Sequence, residues 1–376
     1  MVNYKEGIKM IKHSDHFHGS DLEKIEKIYG IKQENITSFS ANVNPLGISF
    51  LLKETLSSKI DAITSYPDRE YTSLRKCIAN YVSIDYNNII VGNGSTELIS
   101  LFIQIRKPKK ALMIGPTYSE YEREVSLGGG RTHYYRLKEE DNFTLDIEDL
   151  NKSLNQDVDL LVICNPNNPT SSVITRKEMR KILDTCKQKG IYVMVDETYV
   201  EFDTNMEELT SIPLTEYYNN VIILRGTSKF FAAPGLRLGY AVCGNKDLIT
   251  EIVQRQNPWT ISTLAAIAGE IMFTDHNYMI QTKELINRER ERILSKLNTC
   301  PFIKVFPAHA NFVLIKVLRD DVTSEDLFSA TIQKGLMIRD CSNFPFLDNH
   351  YIRFCFMSPD KNDELVDTLL GILNKG

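Results

Sequence analysis

The chain has 376 residues and a formal net charge of −5, from 44 basic and 49 acidic residues with no basic block. This length exceeds the usual size of one hydrophobic core, so a large domain with a smaller companion is expected. The dispersed charge favours small-molecule partners over nucleic acid or a membrane surface. No apolar run approaches the ~20 residues of a membrane-spanning helix.

Seven cysteines are scattered through mostly apolar runs. Their odd number and the lack of a Cys-x-x-Cys pair favour reduced, buried thiols in the cytoplasm over a disulfide framework. A metal site is not expected, since the cysteines form no Cys-x-x-Cys pair. The first fifteen residues are polar and lack the apolar centre of a signal peptide.

Residues 1–49 are predicted to form an N-terminal arm that closes the active site. One short helix is expected from Asp21 to Tyr29, and a small, polar stretch then runs from Ser38 to Gly47. Two interpretations of this arm stay open. It is either an ordered segment with turn residues, or one wall of a polar pocket to which His18 and Asn44 contribute.

Tyr66 precedes Pro67, which holds it in extended geometry. Its ring is therefore expected to project from a loop where a partner chain could meet it. A solvated turn is the alternative.

Residues 50–263 are predicted to form a large α/β domain, with a mostly parallel sheet between helices, because strand-like and helix-like runs alternate. Several strand-like runs are almost wholly apolar, as expected for strands buried on both faces. The predicted strands are Asn88–Val91, Ala111–Ile114, His133–Leu137, Val158–Cys164, Ile191–Val195, Val221–Leu224 and Leu236–Val242.

A glycine-rich turn, Gly92 to Glu97, leads from a predicted strand into a predicted helix. Unpaired N–H groups and the positive end of the helix dipole at such a turn suit a phosphate. Ser95 and Thr96 would add hydroxyl donors. Plain helix capping by Gly94 or Ser95 explains the same residues without a ligand.

Two buried strands are predicted to end in polar residues. Asn165 lies in a stiff Pro-Asn-Asn-Pro turn, where a parallel strand opens onto a ligand crevice. A carboxylate at Asp196 is costly unless a cationic or protonated group meets it, and a protonated pyridine nitrogen would do so. Tyr199 could reach the hydroxyl of the same ring. The alternatives are an ordinary turn at Asn165 and a loop-capping Asp196.

The stretch from Leu224 to Tyr240 carries the candidate covalent chemistry. Lys229 stands beyond a strand end, where its amine can form a Schiff base with an aldehyde cofactor. Ser228 and Arg237 supply hydrogen bonds and positive charge for a phosphate. The combination suggests pyridoxal phosphate, although a lone Ser-Lys match more often marks an ordinary loop.

Residues 264–376 are predicted to form a linking helix, within Leu264–Leu297, and a smaller α+β domain. Arg339 and Arg353 interrupt apolar strand-like runs in this domain, where planar guanidinium groups suit a substrate carboxylate and phosphate. Solvated surface arginines are the alternative. The further predicted elements are Asn311–Val317, Ser324–Lys334, Leu336–Arg339, Tyr351–Phe356 and Asn362–Leu373.

Taken together, the motifs resemble the fold-type I pyridoxal-phosphate enzymes, specifically the class I/II aminotransferases, over nearly the whole chain. Within this family, residues 18–20, 39–47, 66–68 and 338–343 look most like the threonine-phosphate decarboxylases of cobalamin biosynthesis, with histidinol-phosphate aminotransferases as close relatives. The family motifs are Asn165-Pro166-Asn167-Asn168-Pro169, Asp196-x-x-Tyr199, Ser228-Lys229 and Gly235-Leu236-Arg237-x-Gly239-Tyr240.

The sequence departs from the family pattern at two positions. Ser20 replaces the second glycine that is usual after His18, which bears on the exact substrate. The other departure lies beside the lysine. Gly226 stands where a hydroxyl residue commonly contacts the cofactor phosphate. The expectation is that Thr227 or backbone donors compensate.

The resemblance implies a role toward the cofactor for each candidate. Lys229 would hold it covalently and later transfer protons, and Asp196 would pair with its pyridine nitrogen. Tyr199 and Asn165 would bind its ring oxygen, and Tyr118 would stack on the ring. The residues implied to hold its phosphate are Ser95, Thr96, Ser228 and Arg237.

The resemblance also implies how the substrate and a second subunit are bound. Arg353 would bind the substrate carboxylate. Arg339, together with His18 and Asn44, would face a phosphate on the substrate. Tyr66 would arrive from a second subunit, which implies a homodimer.

The implied reaction is decarboxylation of a small phosphorylated amino acid such as L-threonine O-3-phosphate, with serine phosphate or a phosphono-amino acid as further candidates. The bond that breaks is the one held perpendicular to the cofactor ring. If that bond leads to the carboxylate, carbon dioxide leaves. If it leads to the hydrogen, transamination follows, so an aminotransferase of the histidinol-phosphate type is the alternative. A cofactor-lacking binding or regulatory protein is a third reading. The intact Lys229, Asp196 and Arg237 argue against it.

Overall fold

The computed structural model of the protein describes residues 21–154 and 157–374. In chain order, the strands β1 to β13 are Thr37–Ser38, Ile89–Asn93, Lys110–Gly115, Arg131–Arg136, Leu160–Cys164, Tyr192–Asp196, Val221–Gly226, Leu238–Val242, Ile303–Val305, Phe312–Val317, Leu336–Met337, Arg339–Asp340 and Tyr351–Cys355. The helices α1 to α13 are Leu22–Tyr29, Phe50–Ser58, Thr72–Val82, Gly94–Arg106, Glu120–Leu127, Ile147–Ser153, Arg176–Lys189, Met206–Leu209, Lys246–Arg255, Thr263–Met272, His276–Leu297, Ser324–Ile332 and Pro359–Leu373.

The central sheet has seven strands in the order β2-β8-β7-β6-β5-β3-β4. Only β8 runs against the others, since both of its pairings are antiparallel and the remaining pairings are parallel. Successive residues of β5 belong to two separate hydrophobic clusters, which shows that the strand is covered on both faces. The predicted α/β fold with a mostly parallel sheet is confirmed.

The parallel strands place the turns that follow them at one edge of the sheet. Cys164 pairs with Asp196, and Asp196 pairs with Leu224, so β5, β6 and β7 end nearly level. The carboxyl ends of such strands open onto the crevice where ligands bind in α/β sheets. The candidate residues after β3, β5, β6 and β7 therefore face a common space.

A second unit is built on a four-stranded antiparallel sheet, with the order β12-β13-β10-β9. The arm joins this unit, because β1 pairs with β11 and the backbone N–H of Cys355 donates to the carbonyl of Phe39 at 2.8 Å. The rings of Tyr29 and Phe328 also lie 6.0 Å apart. The boundaries predicted near residues 49 and 263 stay predictions.

The long helix predicted within Leu264–Leu297 is two helices in the structure, α10 and α11. The break lies at residues 273–275, and Asp275 caps α11 by accepting from the backbone N–H of Tyr278 at 3.1 Å. Apolar periodicity continues on both sides of the break. The prediction of one continuous helix was therefore wrong.

No helix within the two described ranges combines the length and the apolar character that a membrane span requires. All seven cysteines carry free thiols, and all but Cys77 are buried.

Candidate active site

Lys229 lies in the turn after β7, and its amine donates a hydrogen bond to the carbonyl of Ala41 at 2.7 Å. Burial, with a further contribution from the positive charges of Arg353 and Arg237, lowers the pKa of Lys229 to about 8. An amine with this pKa is partly neutral near physiological pH, and only the neutral amine is nucleophilic. The site thus holds an activated lysine.

Asp196, at the end of β6, is only 4% exposed. One carboxylate oxygen accepts from the Tyr121 hydroxyl at 2.7 Å, and the other accepts from the backbone N–H and hydroxyl of Thr198 at 2.9 and 2.5 Å. Burial raises the pKa of Asp196, while these hydrogen bonds act to lower it. Sequence reasoning missed Tyr121, although it lies one helical turn beyond Tyr118.

Tyr118 and Tyr121 stand together beside the carboxylate. Tyr118 follows β3, and its ring meets that of Tyr121 edge to face with centroids 5.6 Å apart. Burial raises the pKa of Tyr118 to about 12. Its hydroxyl is therefore neutral at physiological pH.

Tyr199 is buried three residues beyond Asp196, with its ring edge to face on Phe312 at 5.0 Å. The side-chain amide of Asn42 donates to the Tyr199 hydroxyl at 3.3 Å. Burial raises the pKa of Tyr199, so its hydroxyl keeps its proton at physiological pH. Sequence reasoning chose Asn44 in this stretch and missed Asn42.

The N-terminus of α4 lies against Arg237, and the two glycines at this contact, Gly94 and Gly239, have close neighbours. A Cβ atom on Gly94 would lie 2.5 Å from Nη2 of Arg237, and one on Gly239 would lie 2.4 Å from the backbone nitrogen of Ser95. Exposed Thr96 follows in the first turn of α4, and partly buried Ser228 precedes Lys229. The helix N-terminus and the guanidinium together form a cradle suited to an anion.

Gly226 borders the same cradle. A Cβ atom there would lie 3.6 Å from Oγ of Ser95, which is an ordinary contact distance. The Thr227 hydroxyl donates to the carbonyl of Leu238 at 3.0 Å. A hydroxyl has one proton to donate, so Thr227 does not offer its proton to a phosphate here. Compensation by backbone donors, the other half of the expectation, stays a prediction.

The turn after β5 contains Asn165 and Asn168, whose side chains make different hydrogen bonds. The Asn165 amide donates to the carbonyls of Ile174 and Leu209 at 2.9 and 3.4 Å, and its oxygen accepts from the Ile174 N–H at 2.9 Å. Both amide protons are therefore donated to backbone carbonyls, and none is left for a ring oxygen. The expected contact from Asn165 to the cofactor does not fit this geometry. Asn168, missed by sequence reasoning, instead accepts from Arg353.

Arg353 is buried in β13, and Nη2 donates to the carbonyl of Ser40 at 2.7 Å. In β12, Arg339 is its direct cross-strand neighbour, and the Arg339 guanidinium donates to the side-chain oxygen of Asn343 at 2.9 Å. Like charges opposite one another destabilise a sheet. Burial, together with the charge of Arg353, lowers the pKa of Arg339.

The Asn44 side chain lies in a structural network and not toward the arginines. Its amide nitrogen is 2.8 Å from the carbonyl of Phe230, 2.9 Å from the Tyr278 hydroxyl and 2.8 Å from the Thr282 hydroxyl. Its backbone N–H donates to the carbonyl of Lys229 at 3.0 Å. The expectation that Asn44 faces a substrate phosphate is therefore corrected, because these contacts use its amide to brace the lysine turn.

Two candidates remain. Tyr66 is 79% exposed, and its ring packs against that of Trp259, tilted by 35° with centroids 4.6 Å apart. His18 lies outside the described residues.

Comparison with known proteins finds a matching family model and similar proteins over most of the chain. A family model described as aminotransferase class I and II matches residues 34–369. The threonine-phosphate decarboxylase of Salmonella typhimurium is 32% identical over 356 residues, covering 95% of this chain and 96% of that protein. The histidinol-phosphate aminotransferase of Ruminiclostridium cellulolyticum is 31% identical over 338 residues, covering 88% and 91%. The crystal structure of the histidinol-phosphate aminotransferase from Clostridium acetobutylicum has a TM-score of 0.84 and 33% identity, covering 90% of this chain and 99% of that one.

Proposed function

We propose that this chain, which belongs to the aminotransferase class I and II family, decarboxylates a small phosphorylated amino acid similar to L-threonine O-3-phosphate. The observation that carries the proposal is the cross-strand pair Arg339 and Arg353, read with the similarity to a threonine-phosphate decarboxylase. Two arginines at facing positions of neighbouring strands suit a substrate with two anionic groups. Serine phosphate or a phosphono-amino acid meets the same requirement.

Pyridoxal 5'-phosphate is the cofactor. The fit of the site is supported by the cradle at Gly94 and Gly239, where no Cβ atom could be accommodated without a shift.

The residues proposed to hold the cofactor surround Lys229. Asp196 would pair with the protonated pyridine nitrogen, a partner that offsets the cost of burying a carboxylate. Tyr199 would donate to the ring oxygen, and Tyr118 would stack on the ring. Asn168, whose side-chain oxygen accepts from Arg353, would bind the ring oxygen in place of Asn165. The proposed phosphate ligands are Ser95, Thr96, Ser228 and Arg237.

The chemistry that the bound cofactor supplies is an electron sink for one bond at the α-carbon of the substrate amine. The contribution of the chain is to select and hold that bond. Arg353 would bind the carboxylate, and its rigid contacts with Ser40 and Asn168 limit how the substrate can turn. Arg339 would bind the phosphate, which supplies a second fixed point.

Lys229 is proposed to transfer protons to and from the reacting carbon. Its pKa of about 8 lets the amine exist in both protonation states near neutral pH. The carbonyl of Ala41 accepts from this amine and thereby restrains its position. A restrained, partly protonated amine suits the return of a proton after carbon dioxide leaves.

Transamination of the histidinol-phosphate type is the second candidate. The specific observation in its favour is the TM-score of 0.84, at 33% identity, with a histidinol-phosphate aminotransferase. The two reactions share the cofactor and the arginines. They differ in whether the carboxylate or the hydrogen leaves the α-carbon.

A homodimer is part of the proposal, with Tyr66 reaching the site of the second subunit. Large exposed apolar side chains concentrate near this residue in the sequence, and such concentrations mark interaction surfaces. They are Leu46, Ile48, Phe50, Leu51, Ile60 and Ile63. Sedimentation equilibrium at micromolar concentration should give twice the chain mass. A purely monomeric protein would contradict the assignment of Tyr66.

A cytoplasmic location is also proposed. Seven free thiols, six of them buried, are typical of a protein in a reducing compartment.

The decisive experiment incubates the cofactor-loaded protein with threonine phosphate, serine phosphate and histidinol phosphate, each with and without 2-oxoglutarate. Carbon dioxide and glutamate are measured in parallel. Release of carbon dioxide without the oxo acid is the expected result. Glutamate formation that requires the oxo acid would instead establish the aminotransferase.

A further inference from the structure

Three consecutive residues of the N-terminal segment, residues 40–42, each contact a different candidate active-site residue. The pairs are Ser40 with Arg353 at 2.7 Å, Ala41 with Lys229 at 2.7 Å and Asn42 with Tyr199 at 3.3 Å. The first two contacts use backbone carbonyls, which any residue could supply. The third uses a side chain, so it alone depends directly on the identity of the residue.

We propose that Asn42 is a positioning residue that aims the hydroxyl proton of Tyr199 at the cofactor. This inference rests on the proposed binding of pyridoxal phosphate at Lys229. An amide nitrogen can only donate, and a phenol carries a single proton. Because the Tyr199 oxygen accepts from Asn42, its own proton is left for another acceptor, namely the ring oxygen of the cofactor.

The backbone conformation at position 42 also favours asparagine, independently of the hydrogen bond to Tyr199. Its φ of 55° lies in the left-handed region, which asparagine, aspartate and glycine tolerate better than other residues. The residue is 1% exposed, and its carbonyl accepts from the side-chain amide of Asn311 at 3.0 Å. Asparagine tolerates this backbone and also offers a side-chain donor to Tyr199, whereas aspartate and glycine tolerate the backbone but offer no such donor.

These requirements define an informative set of variants. Asn42→Asp keeps the size and the tolerated backbone but exchanges a donor for an acceptor, so Tyr199 should turn its proton toward the new carboxylate. Asn42→Gly keeps the backbone and removes the donor. Asn142→Asp is the matched control, because Asn142 is an exposed asparagine with a φ of 52°.

The readout is the pH midpoint of the visible absorption band of the cofactor bound at Lys229, measured without substrate. A hydrogen bond donated to the ring oxygen stabilises its negative charge and lowers the pH at which the neighbouring nitrogen loses its proton. Asn42→Asp should raise this midpoint by about 1 pH unit or more, from the lost donor and the added negative charge. Asn42→Gly should raise it by less, and Asn142→Asp should leave it unchanged.

The Tyr199→Phe background separates positioning from charge. In this background the shift caused by Asn42→Asp should fall to less than half, since only the through-space effect of the carboxylate remains. Asn42→Gly should have no effect there, which keeps the test sharp if the aspartate variant fails to fold. Equal shifts in both backgrounds, or an unchanged midpoint in both Asn42 variants, would overturn the proposal. A protein with a normal band that releases no carbon dioxide would overturn only the proposed reaction.

Discussion

Tyr121→Phe removes a single hydroxyl and thereby tests the assignment of Asp196 to the pyridine nitrogen. The hydroxyl donates to the Asp196 carboxylate at 2.7 Å in a fully buried setting. Phenylalanine keeps the ring and its edge-to-face contact with Tyr118. The variant therefore changes the charge balance at Asp196, and it also removes the hydroxyl beside the Cys164 thiol.

The size of the effect follows from this hydrogen bond. A hydrogen bond to a charged group contributes about 1.5–3 kcal/mol, which corresponds to about 1–2 pKa units. Burial already raises the pKa of Asp196, and Tyr121 acts to lower it. Without Tyr121 the pKa rises further, so the Asp196 carboxylate holds its negative charge less strongly and is a weaker partner for a protonated pyridine.

The assay is the dissociation constant of pyridoxal phosphate, measured by spectroscopic titration between pH 6 and 9. For Tyr121→Phe we expect a loss of up to about 10–100-fold near neutral pH, with a smaller loss as the pH rises. The matched control is Tyr218→Phe, which removes a 2.6 Å hydrogen bond to Asp184. Because Asp184 lies in α7 and not at a strand end of the candidate site, the control should bind the cofactor normally.

Two outcomes would refute the reasoning. The first is a Tyr121→Phe protein that binds the cofactor as tightly as the unmodified protein at every pH. The second is an equal loss in Tyr218→Phe, which would show that any deleted tyrosine hydroxyl has this consequence through general stability.

Three further predictions concern other parts of the molecule. Lys229→Ala should abolish the covalent component of the near-visible cofactor band, and an unchanged spectrum would contradict its role. Arg339→Ala should raise KM for threonine phosphate about 10–100-fold without weakening cofactor binding; an equal loss with unphosphorylated threonine would argue against phosphate recognition. Burial raises the pKa of Glu201 from 4.5 to about 7, so its contribution to stability is complete below pH 4.5 and disappears as the pH rises through 7. Between pH 5 and 8, the free energy of unfolding of Glu201→Gln, measured with denaturant, should therefore rise by up to about 3 kcal/mol relative to that of the unmodified protein. If the two free energies change in parallel with pH, this effect is excluded.

The sheet could be predicted from sequence because its strands are nearly continuous apolar runs. The runs around Leu160, Tyr192 and Val221 correspond to β5, β6 and β7, and the polar residues after them lie at one edge. The break before α11 was missed because apolar periodicity persists across it. Asp275, a local capping signal, was the available indication.

The choice between neighbouring asparagines could not be made from sequence. Asn165 and Asn168 lie in one turn, and only the contacts with the carbonyls of Ile174 and of Leu209, which lies in another element, reveal that the first has no free amide proton. Asn42 and Asn44 present the same problem in the arm. Hydrogen-bond partners supplied by other elements decide such roles, and a single sequence does not report them.

The most direct test of the account follows two atoms of threonine phosphate through the reaction. A substrate with carbon-13 in the carboxylate and deuterium at the α-carbon is incubated with the cofactor-loaded protein, and the products are analysed by mass spectrometry. The account predicts labelled carbon dioxide and an amine that retains its deuterium. Release of deuterium to the solvent with the labelled carboxylate kept would contradict it, because transamination breaks the other bond.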